Sequence, residues 1–359
     1  MDQVFSYKAL QSFTVAVLQH MGCPSREADL AADVLLTADL RGIDSHGVAR
    51  LSGYVRLWEA KRINPTPNIR VVHETPSTAV VDGDGGLGLV VGPRAMEIAM
   101  EKARLAGTGW VAVRNSNHFG IAGYHAMKGL QHDMIGMAMT NASPLVAPTF
   151  STERLLGTNP IAIAIPAGKQ PAFVADFATT TAANGKLEIL QRKGLEAPLG
   201  WIQLKNGKPT TDAHALKGGG ALVPLGSDAD HGSHKGYCLG AWVDIFSAVL
   251  SGANYGPWVP PFVSFLAPPA DPVGSGIGHF FGAMRVDAFR PADEFKSHMD
   301  NWINRFRAAK PVDGVDRVLI PGDPEREMAA ERIKTGIPVN GKVVEDLKEL
   351  ATRFSLSFG

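Results

Sequence analysis

The sequence predicts an α/β protein in which a central β-sheet is flanked by a helical region at each end of the chain. Apolar runs rich in β-branched residues recur between residues 78 and 176, and such nearly unbroken runs are typical of strands buried on both faces. Apolar residues recur at helical spacing before residue 62 and again after residue 291. We therefore expect the two helical ends to pack together beside the sheet.

The first helices are predicted from the apolar spacing near the start of the chain. One helix is predicted over residues 25–40, with Ser25 as its N-cap and a glycine soon after its end. A second helix, capped by Asp44 or Ser45, is predicted to run to about residue 62. The apolar side of that helix consists of Val48, Leu51, Tyr54, Val55 and Trp58.

The central strands are predicted from five apolar segments: 78–82, 109–114, 134–140, 160–165 and 172–176. A helix over residues 93–105 joins the first two strands into a plausible βαβ unit. The apolar segment 237–250 is too short to cross a bilayer and contains Asp244, so we predict a buried core helix there. The last helices are predicted over residues 292–310 and 343–354.

Residues 252–278 form a loop that is long for a compact domain and rich in proline, glycine and aromatic residues. We expect its apolar residues to be buried in a homodimer interface, because they present too much apolar surface for a monomer. The alternative is that the loop folds back over its own sheet. The apolar residues are Trp258, Pro260, Pro261, Phe262, Phe265 and Leu266. We expect a helical unit built from residues 1–75 and 291–359, and a sheet domain over residues 76–290 that carries the loop.

The composition disfavours several classes of protein. Lys plus Arg equals Asp plus Glu at 35 each, so no basic stripe points to nucleic acid. Two cysteines, Cys23 and Cys238, are too few for a disulfide framework and indicate reduced thiols. The first residues lack the apolar core of a signal peptide. We therefore expect a cytoplasmic protein with no nucleic-acid or membrane partner.

The most informative segment is residues 41–50, Arg-Gly-Ile-Asp-Ser-His-Gly-Val-Ala-Arg. On a helix, His46 and Arg50 would lie four residues apart and share one face. An arginine can bind a carboxylate through two hydrogen bonds, and a histidine exchanges a proton near neutral pH. The pair indicates redox chemistry on a 2-hydroxy acid, with His46 close to the ordinary histidine pKa of about 6.5.

Residues 83–88, Gly-Asp-Gly-Gly-Leu-Gly, match the G-x-G-x-x-G pattern of dinucleotide-binding loops and lie between a predicted strand and a predicted helix. The next strand, however, ends at Arg114 and Asn115, where an acidic residue that binds the ribose is expected. The motif therefore fits either a phosphate-binding loop or an ordinary tight turn.

Two further segments follow predicted strands, where open α/β sheets place their active sites. Residues 115–120 contain His118, which is either functional or a loop histidine bonded to the backbone. Residues 176–186 begin with Asp176 and a run of threonines. Their hydroxyl and N–H groups suit either phosphate oxygens or simple helix capping.

Residues 231–237 contain His231 and His234, three positions apart in a glycine-rich loop. A third ligand is not evident nearby, so we do not expect a metal site. Lys235 is better interpreted as an anion contact that precedes an apolar helix.

Two other classes of function stay open. A hydrolase would use Ser45 as nucleophile and His46 as base, but we do not expect adjacent residues to reach each other readily. The second class is a non-catalytic binding protein, and only the grouping of polar residues argues against it.

Taken together, these segments resemble the malate/L-lactate dehydrogenase family, whose members include L-sulfolactate, ureidoglycolate and diketogulonate oxidoreductases. This family is unrelated to the Rossmann-fold malate and lactate dehydrogenases. The matching segments occur in family order along most of the chain: 41–50, 115–120, 156–162, 176–180, 234–237 and 320–324.

The resemblance implies a mixed sheet that binds NAD(P)H without a Rossmann domain, and a homodimer with active sites at its interface. His46 is then the proton donor and acceptor, and Arg50 binds the substrate carboxylate. Ser45 and His118 line the same pocket. The implied cofactor contacts are Asp176, Phe177, Ala178, Thr179, Thr180, His234, Lys235, Gly322, Asp323 and Pro324. The glycines of residues 83–88 then form an ordinary turn.

The resemblance also implies the substrate class. Longer family members with an inserted segment resemble malate dehydrogenases, so we expect malate and oxaloacetate with NAD, and NADP as the alternative cofactor. Lactate, sulfolactate, ureidoglycolate or a cyclic imino acid would fit the same residues. The chain departs from the family at Asp323, where glutamate is usual, and in the length of the segment 252–272.

Overall fold

The computed structural model describes residues 2–262 and 266–358, without the side chain of Arg192. Phe265, one of the apolar loop residues named above, lies outside the described residues. The chain folds around a seven-stranded mixed sheet, with a two-stranded and a three-stranded sheet beside it. The predicted α/β class is confirmed.

The strands are β1 (Gln3–Phe5), β2 (Arg70–Glu74), β3 (Thr78–Gly86), β4 (Thr108–Ser116), β5 (Met134–Thr140), β6 (Ile161–Ile165), β7 (Phe173–Phe177), β8 (Ile202–Gln203), β9 (Pro209–Thr210), β10 (Ala221–Leu222), β11 (Ile277–Arg285) and β12 (Ile337–Val339). The α-helices are α1 (Tyr7–His20), α2 (Ser25–Leu40), α3 (Leu51–Glu59), α4 (Gly88–Ala106), α5 (Ala122–Met127), α6 (Asn184–Lys193), α7 (Ser233–Asp244), α8 (Ala292–Arg307), α9 (Asp323–Thr335) and α10 (Gly341–Phe354). Short 3-10 turns span Asp44–His46, Val48–Arg50, Leu130–His132, Gly256–Trp258 and Val286–Ala288, and a π turn spans Ile245–Val249.

The large sheet has the strand order β2-β3-β4-β11-β5-β6-β7. β3 and β4 run parallel, and the other neighbouring pairs of this sheet are antiparallel. Helix α4 connects the parallel pair, as the predicted βαβ unit requires. The sheet therefore differs from the parallel sheet of a Rossmann domain.

The central strand β11 is missed by the sequence analysis, which assigns its first residues to the loop 252–278. Two glycines obscure its β pattern, and close packing explains both. A Cβ at Gly278 would lie 2.1 Å from the Ser247 carbonyl oxygen. A Cβ at Gly282 would lie 2.4 Å from the ring of Trp110. Glycine weakens the strand signal at the places where neighbours approach the sheet most closely.

The central strands of the sheet are buried on both faces, as the apolar runs predict, whereas the outer strand β2 is exposed. Consecutive residues of a strand point to opposite faces. Val111 and Phe281 join a core formed with α4 and α5, whereas Ala112 and Phe280 join a smaller core formed with α7. Because both faces are apolar, these strands show no alternation of apolar and polar residues.

The two ends of the chain pack together, as expected. β1 pairs antiparallel with β12, and one apolar core contains Leu10 of α1 and Leu347 of α10. Helix α8 lies elsewhere, against the outer strand β7, where Trp302 packs edge-on against Phe173 at 6.0 Å. The division of the chain into two units stays a prediction.

The predicted helix after residue 44 is wrong in its first turn. Two 3-10 turns take its place, and α3 begins only at Leu51. Gly47 separates the turns, and a Cβ there would lie 1.9 Å from Oδ1 of Asp39. The Asp39 carboxylate occupies this space because its Oδ2 accepts the N–H of Val48 at 2.8 Å. A contact with a buried acid thus overrides the helical spacing.

Smaller differences concern helix ends. The N-cap of α2 is Pro24, and Ser25 is its first helical residue rather than the cap. Helix α8 ends at Arg307, earlier than predicted.

The segment 237–250 is not the predicted buried helix. α7 begins earlier, at Ser233, and continues after Asp244 into the π turn. One side packs on the sheet through Val243. The other side exposes five large apolar side chains: Tyr237, Ile245, Phe246, Val249 and Leu250.

The loop 252–278 packs partly on its own chain. Val259 is buried, Trp258 and Phe262 are half-buried, and Leu266 is exposed. The first half of the loop therefore folds back on its own chain, as the alternative prediction states.

Across the described residues, the structure contains no helix with both the length and the apolar character needed to cross a membrane. Both cysteines are free thiols, with Cys23 buried and Cys238 exposed.

Candidate functional site

The segment 41–50 is held in place by side chains from α2 and α9. Arg332 of α9 donates to the backbone oxygen of Asp39 and to the carboxylate of Asp44. The Asp39 carboxylate in turn accepts the Val48 N–H, and burial raises the pKa of Asp39 to about 8. Two segments far apart in the sequence therefore fix the conformation of the turn that carries His46.

Ser45, His46 and Arg50 contact one another in this segment. Oγ of Ser45 is 2.8 Å from Nδ1 of His46, and Nε of Arg50 donates to the Ser45 carbonyl oxygen at 2.5 Å. The expectation that Ser45 and His46 do not reach each other is therefore wrong. Nδ1 is the ring nitrogen nearer the backbone, and in this turn it is close enough for the neighbouring hydroxyl.

His118, which follows β4, stands beside His46. The two rings are stacked with their centroids 5.6 Å apart. Nδ1 of His118 is 2.7 Å from the Tyr54 hydroxyl and accepts the N–H of Gly120 at 3.3 Å. The predicted residues Ser45, His46, Arg50 and His118 therefore lie in one cleft.

Two aromatic residues of this cleft are missed as site residues by the sequence analysis. Tyr54 is fully buried, and Phe262 packs against both Tyr54 and His118, with ring centroids 5.0 Å and 4.6 Å away. Helical spacing indicates that Tyr54 is buried but not that its hydroxyl meets a histidine. Phe262 comes from a loop 144 positions after His118, as their numbers show, so no local pattern connects them.

The environment of the cleft keeps both histidines neutral near pH 7. Burial and then the charge of Arg50 lower the pKa of His46 to about 4. Burial lowers the pKa of His118 well below its usual range, with added effects from His46 and Arg50. Both rings keep part of their surface exposed, so crowding by the surrounding protein atoms, rather than complete enclosure, causes the dehydration. The expectation of an unperturbed His46 is wrong.

Asp176 lies near the end of β7 and is exposed, although protein atoms crowd around its carboxyl group. Its Oδ2 accepts the N–H of Gly123 at 2.7 Å. Crowding around the carboxyl raises the pKa of Asp176 to about 6, against the opposing effects of the Gly123 hydrogen bond and the charge of Arg41. The next residue, Phe177, is also exposed.

Thr179 and Thr180, which follow β7, are buried, and their hydroxyls are used within the protein. Thr179 donates to the carbonyl oxygens of Thr158 and Asn159, and Thr180 donates to that of Ala182. These bonds fix the turn around the half-buried Ala178.

His234 and Lys235 are exposed in the first turn of α7. This end of the helix has no side-chain cap, because its N-cap is a glycine. A Cβ at Gly236 would lie 2.4 Å from the backbone of Leu225, whose N–H donates to the Thr179 carbonyl oxygen. The start of α7 and the threonine turn are therefore packed neighbours.

His231 bonds to Asp228 at 2.8 Å rather than to His234. Within the described ranges, no group of three possible ligands is placed to hold a metal ion.

The turn Gly322-Asp323-Pro324 begins α9 beside the same strand. A Cβ at Gly322 would lie 3.1 Å from Cβ of Val174 in β7. The Asp323 carboxylate is buried and accepts hydrogen bonds from Arg307 at 2.7 Å and Arg326 at 2.5 Å. Asp323 is therefore engaged inside the protein, whereas Pro324 is exposed.

The first turn of α6 lies against the Ser45 side of the cleft. A Cβ at Gly185 would lie 2.8 Å from Cβ of Ser45 and 3.9 Å from Nη2 of Arg50. Gly185 is not recognisable as a site residue from the sequence, because a glycine after an asparagine is ordinary at the start of a helix. Its role is to leave room for Ser45 and Arg50.

The glycine motif 83–88 continues β3 instead of opening a phosphate loop. Nδ2 of Asn117 donates to the carbonyl oxygens of Gly85 and Gly86. A Cβ at Gly88 would lie 2.1 Å from the Asn117 carbonyl oxygen. Close packing against the chain after β4 accounts for these glycines.

The residues around β7 fit a nicotinamide dinucleotide. Lys235 and the N-terminal end of α7, which has no side-chain cap, suit a pyrophosphate because both favour negative charge. The open side of Asp176 suits ribose hydroxyls, and the exposed ring of Phe177 suits a base.

Comparison with known proteins identifies the family of the chain. A family model described as malate/L-lactate dehydrogenase matches residues 5–348. The chain is 44% identical to a malate dehydrogenase from Pyrococcus abyssi over 96% of this chain and 93% of that protein. Its fold is similar to a malate dehydrogenase structure from Entamoeba histolytica, with a TM-score of 0.92, 36% identity and 99% of each chain covered. It is also similar to the sulfolactate dehydrogenase from Methanocaldococcus jannaschii, with a TM-score of 0.89, 37% identity, and 99% and 98% of the two chains covered.

Proposed function

The chain belongs to the malate/L-lactate dehydrogenase family of 2-hydroxy-acid dehydrogenases, and from that premise we propose that it interconverts malate and oxaloacetate with NAD, NADP being the alternative cofactor. The family implies a nicotinamide cofactor. The observation that carries the proposal is the placement of Arg50 and His46 around one cleft, together with 44% identity to a malate dehydrogenase.

In this proposal Arg50 binds the C1 carboxylate of the substrate. Its Nε is already bonded to the Ser45 carbonyl oxygen, which fixes the plane of the guanidinium. The two terminal nitrogens then form a planar pair that matches the two oxygens of a carboxylate. Lysine offers a point charge without this geometry.

His46 moves the proton between the substrate oxygen and the protein. Its Nδ1 is bonded to Ser45, which leaves Nε2 as the nitrogen that meets the substrate. The neutral ring accepts the proton of the C2 hydroxyl when malate is oxidised and returns it when oxaloacetate is reduced. A nicotinamide held by the residues around β7 and α7 would, when bound, supply the hydride chemistry at C2. The charge of Arg50, once paired with the substrate carboxylate, no longer depresses the pKa of His46 as strongly.

The proposed cofactor contacts lie around β7 and the start of α7. They are Asp176, Phe177, Ala178, Thr179, Thr180, His234, Lys235, Gly322, Asp323 and Pro324. Since the hydroxyls of Thr179 and Thr180 and the carboxylate of Asp323 are engaged internally, these three residues would contribute backbone groups and shape. Lys235 would supply the charge that the pyrophosphate needs.

A homodimer and a cytoplasmic location also belong to this proposal. The exposed apolar side chains of α7 and the π turn support a partner surface next to the proposed cofactor contacts. An exposed free thiol at Cys238 suits a reducing compartment.

The test is an absorbance assay at the NADH band with a panel of 2-oxo acids, each measured with NADH and with NADPH. We expect oxaloacetate to give the highest kcat/KM. Sulfopyruvate is the second candidate, because the sulfolactate dehydrogenase from Methanocaldococcus jannaschii is 39% identical to the chain. If the protein reduces only another 2-oxo acid, the corresponding 2-hydroxy acid would take the place of malate in the proposal. Cofactor binding by fluorescence titration with no turnover of any panel member would contradict the assigned reaction.

A further inference from the structure

His118 differs from His46 in the partner of its Nδ1 atom, and this difference assigns the two rings different tasks. We propose that Tyr54 is a positioning residue which, with Gly120, fixes His118 as a neutral donor through Nε2–H, so that His46 alone moves the proton. The roles of the two histidines toward the substrate rest on the proposed function. The protonation state of His118 is a property of the protein without substrate.

The backbone of Gly120 indicates which nitrogen of His118 carries the proton, although its hydrogen bond is longer than that of Tyr54. A backbone N–H can only donate, and that of Gly120 points to Nδ1 of His118 at 3.3 Å. Nδ1 therefore presents its lone pair. In a neutral ring the proton is then on Nε2.

Tyr54 reinforces this assignment. Its hydroxyl is 2.7 Å from the same Nδ1 and must donate, because Nδ1 has no proton to give. Burial raises the pKa of Tyr54, so the hydroxyl keeps its proton. The Tyr54 side chain is fully buried on α3 and cannot turn away without disturbing the core.

Phe262 keeps this arrangement dry. Its ring packs on His118 at 4.6 Å and edge-on against Tyr54 at 5.0 Å. Its own N–H donates to Oγ of Ser143 at 3.0 Å. Arg62 donates to the carbonyl oxygen of the preceding Pro261 at 2.5 Å, so the segment is anchored at two points.

The charges around His118 also oppose its protonation. The titratable and charged groups that face it are His46, Arg50, Tyr54 and His279. None of these is an acid that would stabilise an imidazolium. His279 is itself neutral, because burial lowers its pKa to about 3.

His46 has the opposite kind of partner. The Ser45 hydroxyl can either donate to Nδ1 or accept from it, so His46 can gain and lose a proton without breaking that bond. Protonation of His118 at Nδ1 would instead place its new N–H against the Gly120 N–H. His118 is therefore suited to a constant hydrogen bond from Nε2–H to the substrate, and His46 to acid–base work.

The experiment is nitrogen NMR of the histidine rings in the full-length protein labelled with ¹⁵N-histidine. The His118 signals are assigned from their loss in His118→Gln. We expect Nδ1 of His118 to be unprotonated and Nε2 to be protonated from pH 5.5 to 8. In Tyr54→Phe, which keeps the ring against Phe262, we expect His118 to populate both tautomers and kcat to fall about 3- to 10-fold.

The matched control is Tyr124→Phe. The Tyr124 hydroxyl donates to Asp33 at 2.7 Å, away from His118. This variant should leave the His118 signals and kcat unchanged, although it loses a tyrosine hydrogen bond of the same length.

A proton on Nδ1 of wild-type His118, or titration of that ring between pH 5.5 and 8, would overturn the inference. So would an unchanged His118 tautomer in Tyr54→Phe. These spectra need neither substrate nor turnover, so they stand even if no 2-oxo acid is reduced, and a failure of the proposed function is seen separately.

Discussion

The hydroxyl of Ser45 lies 2.8 Å from Nδ1 of His46, so two adjacent residues share a hydrogen bond at the centre of the site. The 3-10 turn that carries them makes this contact possible, and Gly47 ends the turn. In a catalytic triad the equivalent serine would be bonded to the outer Nε2 of the histidine. Here the outer nitrogen stays available for the substrate. The geometry therefore favours a proton carrier over a hydrolase.

The first prediction concerns His46. His46→Asn should lower turnover by about 10²- to 10⁴-fold, the scale of a lost general acid–base group. Cofactor affinity should be unchanged. Steady-state kinetics and a fluorescence titration measure the two quantities. His132→Gln, in an exposed position after α5, is the control and should behave as wild type. Near-normal turnover in His46→Asn would assign the proton to His118.

The second prediction concerns Arg50. Arg50→Lys should raise the KM for 2-oxo acids and cost about 2 kcal/mol or more in kcat/KM, because a planar two-point contact becomes a point charge. Arg56→Lys is the matched control. Arg56 lies in α3, directly after the segment that carries Arg50, and makes a long hydrogen bond of 3.3 Å to Oγ of Ser52. If NADH affinity falls in Arg50→Lys while the KM for the 2-oxo acid survives, Arg50 belongs to the cofactor site.

The third prediction is the pH dependence. With a pKa of about 4, His46 is neutral above about pH 5 and can accept a proton. The kcat/KM for malate oxidation should therefore show no loss from His46 between pH 8 and about pH 5.5. Reduction needs the protonated ring, so the kcat/KM for oxaloacetate should fall about tenfold per pH unit above about pH 5. An oxidation profile that falls below pH 6.5 would show that His46 is not dehydrated.

The fourth prediction concerns the glycine motif. Gly85 has a φ of +68°, and a Cβ there would make only an ordinary contact, 3.9 Å from Cβ of Asn64, so Gly85→Ala should cost about 1 kcal/mol of unfolding free energy. NADH affinity should be unchanged. Gly88→Ala, with its Cβ 2.1 Å from the Asn117 carbonyl oxygen, should destabilise the fold more. A folded Gly85→Ala variant that binds NADH poorly would restore the phosphate-loop interpretation.

Much of the fold is predictable because its strands are nearly pure apolar runs. The strands β3 to β7 follow from that pattern, and so does the packing of the two chain ends. β11 does not, because Gly278 and Gly282 are required by neighbouring atoms and weaken the pattern. Glycine content records close approach as well as turns.

The site is predictable in its residues more than in its geometry. His46 and Arg50 are found from their spacing, although the helix assumed for them is absent because Asp39 occupies the space beside Gly47. Tyr54, Phe262 and Gly185 reach the site only through tertiary contacts, which spacing cannot show. The low pKa of His46 likewise depends on burial that emerges only when distant segments assemble.

The last prediction is that the active protein is a homodimer formed through the exposed apolar side of α7 and the π turn. Ile245, Val249 and Leu250 are each more than half exposed, and they continue the helix whose first turn carries Lys235. Val249→Glu should therefore dissociate the dimer and weaken cofactor binding together. Leu105→Glu is the control, since Leu105 is 88% exposed at the end of α4, and this variant should stay dimeric and active. Sedimentation velocity at low micromolar concentration, with activity measured on the same samples, separates the outcomes. A fully active wild-type monomer would rule out both the dimer and an active site that needs it.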